Sequence, residues 1–362
     1  MGEVVERLSV FARLPEVPTN SFGRDVIIED LLGLVERSDS ITLLGAGGIG
    51  KTVIALDLLH HPRILARFGH HRHFMRCHDL KNSLDGFLRR LSETIDARDR
   101  KDMAQLRSHL SLSPPLILVL DGVESILDPL APEAAEIASA IEELNLCQNL
   151  CLLLTSRIDA RITDFRRIEV PTLSANSAQD VFYSRYHLGK SVEVDNILEE
   201  LDFHPLSIDL LASAARENGW GEAKLLEAWD SGKTNTLKAY CRQSLEDNIE
   251  STLATPTIQA QGMIALEILR ALAALPGGVE ERKLESTFAE ISGIGDTIDA
   301  LCELFLVYRQ GGFFRMLSPF RLYFRASRQA LLSDSGSDVA SDAVSEDIRY
   351  TPQDIFGFGL LL

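Results

Sequence analysis

Short apolar runs alternate with helical patterns along the first half of the chain. Runs rich in aliphatic and aromatic residues lie at residues 41–44, 73–77, 116–120, 150–154 and 168–170. Between them, apolar residues recur at three- and four-residue spacing, which is typical of amphipathic helices. Strands that alternate with helices predict a doubly wound parallel sheet with helices covering both faces.

The pattern changes after residue 172, where the strands stop and helical spacing continues. Ser177 and Asp180 are spaced as an N-cap pair that starts a helix. Further helices are predicted at residues 194–201, 206–216, 223–229 and 263–275. We interpret this stretch as a helical bundle.

A third pattern begins at residue 279. Two helices precede two short strands at residues 305–308 and 313–316, which flank a Gly-Gly pair. Short strands about a tight turn, following helices, predict a winged-helix domain. Ser318 and Pro319 predict the start of its last helix.

These patterns divide the chain into six segments. They are an N-terminal lead-in at residues 1–20, a sheet domain at 21–172, a helical domain at 173–257, a winged-helix domain at 258–331, an acidic segment at 332–347 and an apolar tail at 348–362. The acidic segment has too few large apolar residues to fold, so we expect disorder there. The tail is expected either to dock on the body or to belong to a longer chain.

Composition limits the classes to which the protein can belong. Hydrophobic residues make up 45% of the 362 residues and charged residues 25%, as in an ordinary globular body. No apolar stretch approaches the roughly 20 residues that span a bilayer, and the N-terminus lacks a secretory pattern. The formal charge of −17 argues against nucleic acid as an electrostatic partner. The five cysteines are odd in number, so we expect reduced thiols in a cytoplasmic protein.

Residues 45–52 read GAGGIGKT and match the phosphate-binding pattern GxxxxGK followed by Ser or Thr. A strand precedes this loop and a helix follows it, which points backbone N–H groups and the positive end of the helix dipole at one place. Lys51 is expected to reach the β- and γ-phosphates, and Thr52 to complete the shell of Mg²⁺. The nucleotide-binding residues predicted in the loop are Gly45, Gly47, Gly48, Ile49, Gly50, Lys51 and Thr52.

The motif makes the fold prediction more specific. The fold class becomes α/β: a P-loop NTPase with a doubly wound parallel sheet, followed by the helical bundle and the winged-helix domain. ATP or ADP and Mg²⁺ are the predicted cofactors.

A second Mg²⁺ ligand is predicted in the run LILVLD, where Asp121 follows five apolar residues. A helix cap is the alternative role for this carboxylate. Gly122 stands where many P-loop ATPases have an acidic residue that activates water, and Glu124 is the nearest carboxylate. Because a positioned general base contributes about 10²–10⁴ in rate, we expect slow hydrolysis unless Glu124 takes over.

Arg157 follows the fourth predicted strand, in the run LLLTSR. A cation at this strand end can contact the γ-phosphate and so distinguish ATP from ADP. The alternative is a surface arginine that pairs with Asp159 or Asp164.

Several motifs, in order, resemble one class of ATPase. FGR at residues 22–24, the GAGGIGKT loop, LILVLD, LLLTSR, VPTL at 170–173 and HPL at 204–206 are similar to the NB-ARC/NACHT-like STAND class, closest to its fungal NB-ARC-like branch. The resemblance covers residues 14–330. It implies an ADP-held closed form that opens and self-associates when ATP replaces ADP, with other signalling proteins as further partners.

The resemblance also implies roles outside the loop. Gly23 and Arg24 would line the adenine side, Pro205 would pack against the base, and Arg157 would act as the sensor. Residues 316–318 read MLS, where many members have Met-His-Asp. The histidine contact to the ADP β-phosphate is therefore not expected here.

Other functions are weighed against a switch ATPase. The end of the predicted winged helix is basic, which keeps an ATP-dependent DNA-binding transcription regulator as the alternative function. The arginines concerned are Arg309, Arg315, Arg321, Arg325 and Arg328. The net charge and the interleaved aromatic residues favour packing instead. A small-molecule kinase is disfavoured by the long helical and winged-helix stretch.

Two clusters of potential metal ligands are also weighed. Six of the nine histidines lie within residues 60–78, but their spacing follows no compact ligand pattern, so surface histidines are favoured over a metal site. Cys147 and Cys151 are better explained by apolar packing before a strand.

Overall fold

The computed structural model describes residues 14–16, 22–77, 80, 83–98, 102–128, 133–160, 162–187, 189–229, 253, 256–275, 277–288, 293–317, 320–321 and 323–324. The described residues form two compact units, one ending at His187 and one following it, with residues 256–257 grouped with the first. The predicted acidic segment, the apolar tail, the helix start at Ser318 and two of the arginines, Arg325 and Arg328, lie outside the described residues.

The first unit is built on a five-stranded sheet. Its strands are β1 (Ser40–Leu44), β2 (Arg72–Arg76), β3 (Leu116–Asp121), β4 (Leu150–Ser156) and β5 (Phe165–Glu169). They lie in the order β2-β3-β4-β1-β5, and every pair is parallel. The three central strands are buried along their whole length, as expected of a parallel sheet covered on both faces. The predicted parallel sheet is confirmed.

Helices surround this sheet. They are α1 (Asp25–Glu36), α2 (Lys51–His60), α3 (Pro62–Phe68), α4 (Leu84–Thr94), α5 (Met103–Leu112), α6 (Glu124–Leu127), α7 (Ala134–Asn145) and α8 (Ala175–Arg185). Alternate residues of β3 face opposite layers: Leu118 and Leu120 join a core with α4 and α7, while Ile117 and Val119 join a core with α1 and α2. Since strand side chains alternate between faces, helices cover both sides of the sheet.

The predicted N-cap at Ser177 is wrong. Helix α8 begins at Ala175, and its N-cap is Ser174, whose hydroxyl accepts a hydrogen bond from the Ser177 backbone N–H at 3.2 Å. Ser177 therefore lies in the first turn. The physical reason is that Ser174 has the extended backbone an N-cap needs, so the helix can begin three residues earlier.

The second unit begins with helices. They are α9 (Val192–Glu200), α10 (Pro205–Glu217), α11 (residues 222–229) and α12 (Pro256–Ala274), the last interrupted at Gly262, where φ is 62°. After them come β6 (Val279–Glu280), α13 (Leu284–Thr287) and α14 (Ile294–Glu303). Strands β7 (Val307–Gln310) and β8 (Phe313–Met316) follow.

An antiparallel sheet of order β6-β8-β7 closes the second unit. Its hairpin turns at Gly311 and Gly312, whose φ angles of 60° and 79° suit a two-residue turn that glycine adopts without strain. Strand β7 begins at Val307, two residues later than predicted, because Phe305 adopts a φ of 54° that does not fit a strand. The two-residue strand β6 is too short to leave an apolar pattern in the sequence.

In the part of the chain that the structure describes, we find no helix of the length and apolar character needed to cross a bilayer.

Candidate nucleotide-binding site

The GAGGIGKT loop leaves the carboxyl end of β1 and ends at the first turn of α2. Gly45 N–H donates to the Ser156 carbonyl at 3.3 Å, which anchors the start of the loop to the neighbouring strand β4. Gly48 and Gly50 have φ angles of 78° and 102°, which side chains strongly disfavour. Gly50 is the N-cap residue of α2, so the loop lies at the positive end of a ten-residue helix. This is a geometry that binds phosphate groups.

Lys51 is buried within this loop. Its ammonium group donates to the Gly45 carbonyl at 2.6 Å and to the Ala46 carbonyl at 2.9 Å. Desolvation lowers the pKa of Lys51 to about 8, against the opposing influence of the Glu124 and Asp121 carboxylates. The loop therefore holds a desolvated positive charge, which an anion would stabilise.

Asp121 lies at the end of β3, directly beside Thr52. Its Oδ1 accepts hydrogen bonds from the hydroxyls of Thr52 and Thr155, each at 2.7 Å. The alternative role as a helix cap is not supported, since α6 begins after Val123 without a side-chain cap. A hydroxyl and a carboxylate in direct contact are oxygen ligands of the kind that Mg²⁺ prefers, so these residues fit such an ion.

Thr155 belongs to this group, although sequence reasoning missed it. It is only 1% exposed, and its hydroxyl also accepts a hydrogen bond from the Gly122 backbone N–H at 2.9 Å. Thr155 thereby fixes both the Asp121 carboxylate and the chain that follows it. In the sequence, this role of Thr155 is indicated only by its position, as a polar residue near the end of an otherwise apolar strand.

Arg157 forms an ion pair with Glu124. The distance from Arg157 Nε to Glu124 Oε1 is 3.1 Å, and the Arg157 backbone N–H donates to Oε2 at 3.3 Å. Both side chains are largely buried, with 19% and 15% exposed. A Cβ added at Gly47 would lie 3.5 Å from the guanidinium carbon, so this cation lies against the phosphate loop.

Arg157 pairs with Glu124, and Asp159, one of its predicted alternative partners, pairs with Arg167 at 3.2 Å. The structure therefore brings Arg157 and Glu124 together at the loop, beside Lys51 and Asp121. Sequence reasoning selected all four residues but did not predict that two of them pair.

Gly23 and Arg24 lie at the start of α1. Gly23 has a φ of +66°, and a Cβ there would come within 2.1 Å of the Ser177 hydroxyl. The Arg24 guanidinium is 6% exposed and donates to two backbone carbonyls, those of Pro171 and Ile49, each at 2.8 Å. Desolvation lowers the pKa of Arg24 to about 10, so it remains a cation at neutral pH.

Pro205 lies in the second unit, as the first residue of α10. The preceding His204 caps this helix: its Nδ1 accepts from the Ser207 backbone N–H at 3.4 Å. The position of Pro205 against a base stays a prediction.

The weaker candidates form no further site among the described residues, where no group of three potential metal ligands gathers. His60 Nε2 lies 2.9 Å from the Pro15 carbonyl, and His61 caps α3. His78 lies outside the described residues. Cys147 and Cys151 are buried without a disulfide, each within one of the hydrophobic cores that cover the sheet, which confirms apolar packing.

The three described arginines of the basic stretch all have partners within the second unit. Arg309 pairs with Asp299. Arg321 lies 3.8 Å from an Asp202 carboxylate oxygen and donates to the Glu200 carbonyl at 3.0 Å. The guanidinium of Arg315 stacks over Phe313. These contacts favour a structural role for the three arginines and disfavour a role in DNA binding.

One comparison with known proteins supports the fold. No family model and no curated protein matches the sequence. Among solved structures, the Walker-type ATPase paby2304 of Pyrococcus abyssi is similar at a TM-score of 0.62 and 14% identity, over 87% of this chain and 99% of that one. The STAND protein PH0952 of Pyrococcus horikoshii, which has a tetratricopeptide repeat sensor, aligns at a TM-score of 0.43 and 10% identity, over 91% of this chain and 47% of that one. The predicted α/β P-loop NTPase fold is confirmed by the first of these.

Proposed function

We propose that the protein is an ATP- and ADP-binding switch of the STAND type, with slow or no hydrolysis. The observation that supports this function most directly is the contact between Thr52 and Asp121 beside the buried Lys51. These residues place a cation, a hydroxyl and a carboxylate at the amino end of α2. That set suits a nucleoside di- or triphosphate with its metal ion.

Each residue has a role in this proposal. The loop N–H groups and Lys51 bind the phosphate chain, while Thr52 and Asp121 would hold Mg²⁺. The ion would supply positive charge to the β- and γ-phosphate oxygens. Thr155 holds Asp121 in place through their 2.7 Å hydrogen bond.

Slow hydrolysis follows from the surroundings of Glu124. Gly122 offers no carboxylate, and both oxygens of Glu124 are engaged by Arg157. A carboxylate with one oxygen held by a cation and the other by a backbone N–H is not free to orient water. Loss of a positioned base lowers the rate about 10²–10⁴-fold. Such slow hydrolysis suits a switch that keeps its bound nucleotide for a long time, and does not suit a protein that needs rapid turnover.

Arg157 provides the means to distinguish the two nucleotides. Its guanidinium lies against Gly47 of the loop, and a γ-phosphate bound there would compete with Glu124 for it. ADP lacks this group, so the Glu124 pair would persist. Changing a switch from 1:99 to 99:1 needs about 5.5 kcal/mol of preference for one state. A buried charge contact that only ATP makes can supply a large share of this free-energy difference.

The finer parts of the proposal rest on the motif resemblance of the chain. They are an NB-ARC-like core, a helical bundle and a winged helix after the sheet, and adenine contacts from Gly23, Arg24 and Pro205. Rearrangement and self-association on nucleotide exchange, with signalling proteins as partners in the cytoplasm, belong to the same proposal. The antiparallel hairpin of β7 and β8 after α14 supports the winged helix.

Titration calorimetry with Mg-ATP and Mg-ADP tests this function. Arg157→Ala is expected to weaken ATP binding at least about tenfold, which corresponds to about 1.4 kcal/mol, and to leave ADP binding unchanged. Arg167→Ala, which removes an exposed arginine that pairs with Asp159, is the matched control. An equal loss of both nucleotides in Arg157→Ala would contradict the sensor role, and a wild type that binds neither would refute the function.

A further inference from the structure

Arg24 connects two distant segments through one planar group. Its Nη2 donates to the Ile49 carbonyl within the phosphate loop, and its Nη1 donates to the Pro171 carbonyl, 147 positions along the chain. Both distances are 2.8 Å, and the residue is 6% exposed. Both ends of the guanidinium are therefore occupied by backbone carbonyls of the first unit.

The Ile49 carbonyl belongs to the same peptide plane as the Gly50 N–H. In a trans peptide these two groups point in opposite directions, so fixing the carbonyl fixes the direction of the N–H. Gly50 adopts a φ of 102°, and because glycine has more backbone freedom than other residues, Gly50 does not by itself hold this peptide in one orientation. An external restraint on this peptide therefore determines where the Gly50 N–H points.

The other attachment of Arg24 is firm. The Pro171 carbonyl follows β5 at the edge of the sheet, and the preceding Val170 N–H donates to the Leu44 carbonyl at 2.8 Å. Gly23 is packed so closely against Ser177 in α8 that a Cβ would overlap the serine hydroxyl. The start of α1 is therefore held against the body, and Arg24 projects from a fixed point.

We propose that Arg24 is a positioning residue for phosphate binding: it orients the Ile49–Gly50 peptide so that the Gly50 N–H faces the phosphate chain. This role rests on the proposed nucleotide-binding function. It differs from a side-chain contact with the adenine, because it acts on the phosphate chain whatever base is attached.

Binding of Mg-ATP and of Mg²⁺ with inorganic tripolyphosphate separates the two roles. Arg24→Met keeps an unbranched side chain, shorter than that of arginine, but removes both donors. It is expected to weaken the binding of both ligands by the same factor, at least about tenfold, because it removes two hydrogen bonds from a charged group and so releases the Ile49–Gly50 peptide. Arg24→Lys keeps a cationic donor but lacks the planar fork, so it is expected to recover part of the affinity for both ligands.

Arg63→Met is the matched control. Arg63 also holds two groups, the exposed carboxylates of Glu29 and Glu36 on α1. It is expected to bind both ligands as the wild type does. Thermal unfolding of each ligand-free variant checks that the fold is retained, and Arg24→Lys decides the question if Arg24→Met does not fold.

The outcomes are distinguishable. Loss of ATP binding with tripolyphosphate binding unchanged would overturn the positioning role in favour of a base contact. Unchanged binding of both ligands in Arg24→Met and Arg24→Lys would show that the fork is dispensable. A wild type that binds neither ligand would refute the proposed function itself, and the positioning role with it.

Discussion

The buried charge of Lys51 is predicted to cost the ligand-free protein stability at neutral pH. Desolvation lowers the pKa of Lys51 from 10.5 to about 8, and this fall corresponds to roughly 3 kcal/mol. Replacing the charge with an apolar side chain of similar length, as in Lys51→Met, is therefore expected to stabilise the nucleotide-free fold at pH 7 by up to about 3 kcal/mol. This loss of stability would be explained if the Lys51 charge is retained because it binds an anion.

The pH dependence has a definite sign. Below pH 8 Lys51 is protonated in both states, and the folded protein bears the full cost. Between pH 8 and 10.5 the folded state releases its proton first, so the unfolded state holds more protons and stability rises with pH. The stability gap between Lys51→Met and wild type is therefore expected to shrink as the pH rises through this window.

Urea unfolding at pH 7 and pH 10, followed by circular dichroism, measures this gap. Circular dichroism is chosen because the signal must report the unfolding of the first unit. Tryptophan fluorescence would not do so, since both tryptophans, Trp220 and Trp229, lie in the second unit. Comparing wild type with variant cancels the titration of all other groups. A gap that is the same at both pH values, or a Lys51→Met protein less stable than wild type at pH 7, would refute the reasoning.

Two further predictions concern contacts of the site. Thr155→Val removes the hydroxyl that holds Asp121, so it is expected to raise the Mg²⁺ concentration needed for ATP binding about tenfold. Thr155→Ser keeps a hydroxyl and is expected to restore the wild-type Mg²⁺ requirement. An unchanged Mg²⁺ requirement in Thr155→Val would contradict the positioning of Asp121 by Thr155. Gly23→Ala meets both a φ of +66° and the Ser177 hydroxyl, whereas Gly69→Ala meets a φ of +56° and open space. Chemical unfolding is expected to show a loss about 2 kcal/mol greater for Gly23→Ala, and equal losses would contradict the close contact.

Features that depend on local sequence were predictable. The parallel strands leave continuous apolar runs, and the loop has glycines where its backbone needs them, so the sheet and the position of Lys51 followed from the sequence. Asp121 was found because a phosphate loop needs a second acid at the end of a neighbouring strand, and the apolar run before Asp121 predicts such a strand. Each of these signals is contained in a few consecutive residues.

Features that depend on tertiary contact were not predictable. The ion pair of Arg157 with Glu124 joins the end of β4 to a four-residue helix, and no periodicity marks so short an element. The Arg24 fork bonds backbone carbonyls, which every residue possesses, so the partners leave no trace in the sequence. Thr155 is hidden for a related reason: a threonine is an ordinary strand residue until its neighbour is known.

The identity of any nucleotide retained by the purified protein tests the central claim most directly. The protein is denatured, and the released small molecules are separated by chromatography and quantified, with Lys51→Ala prepared in parallel. We predict nearly one ADP per wild-type chain and none from the variant. A wild type that releases no nucleotide and also fails to bind added Mg-ATP would contradict the account.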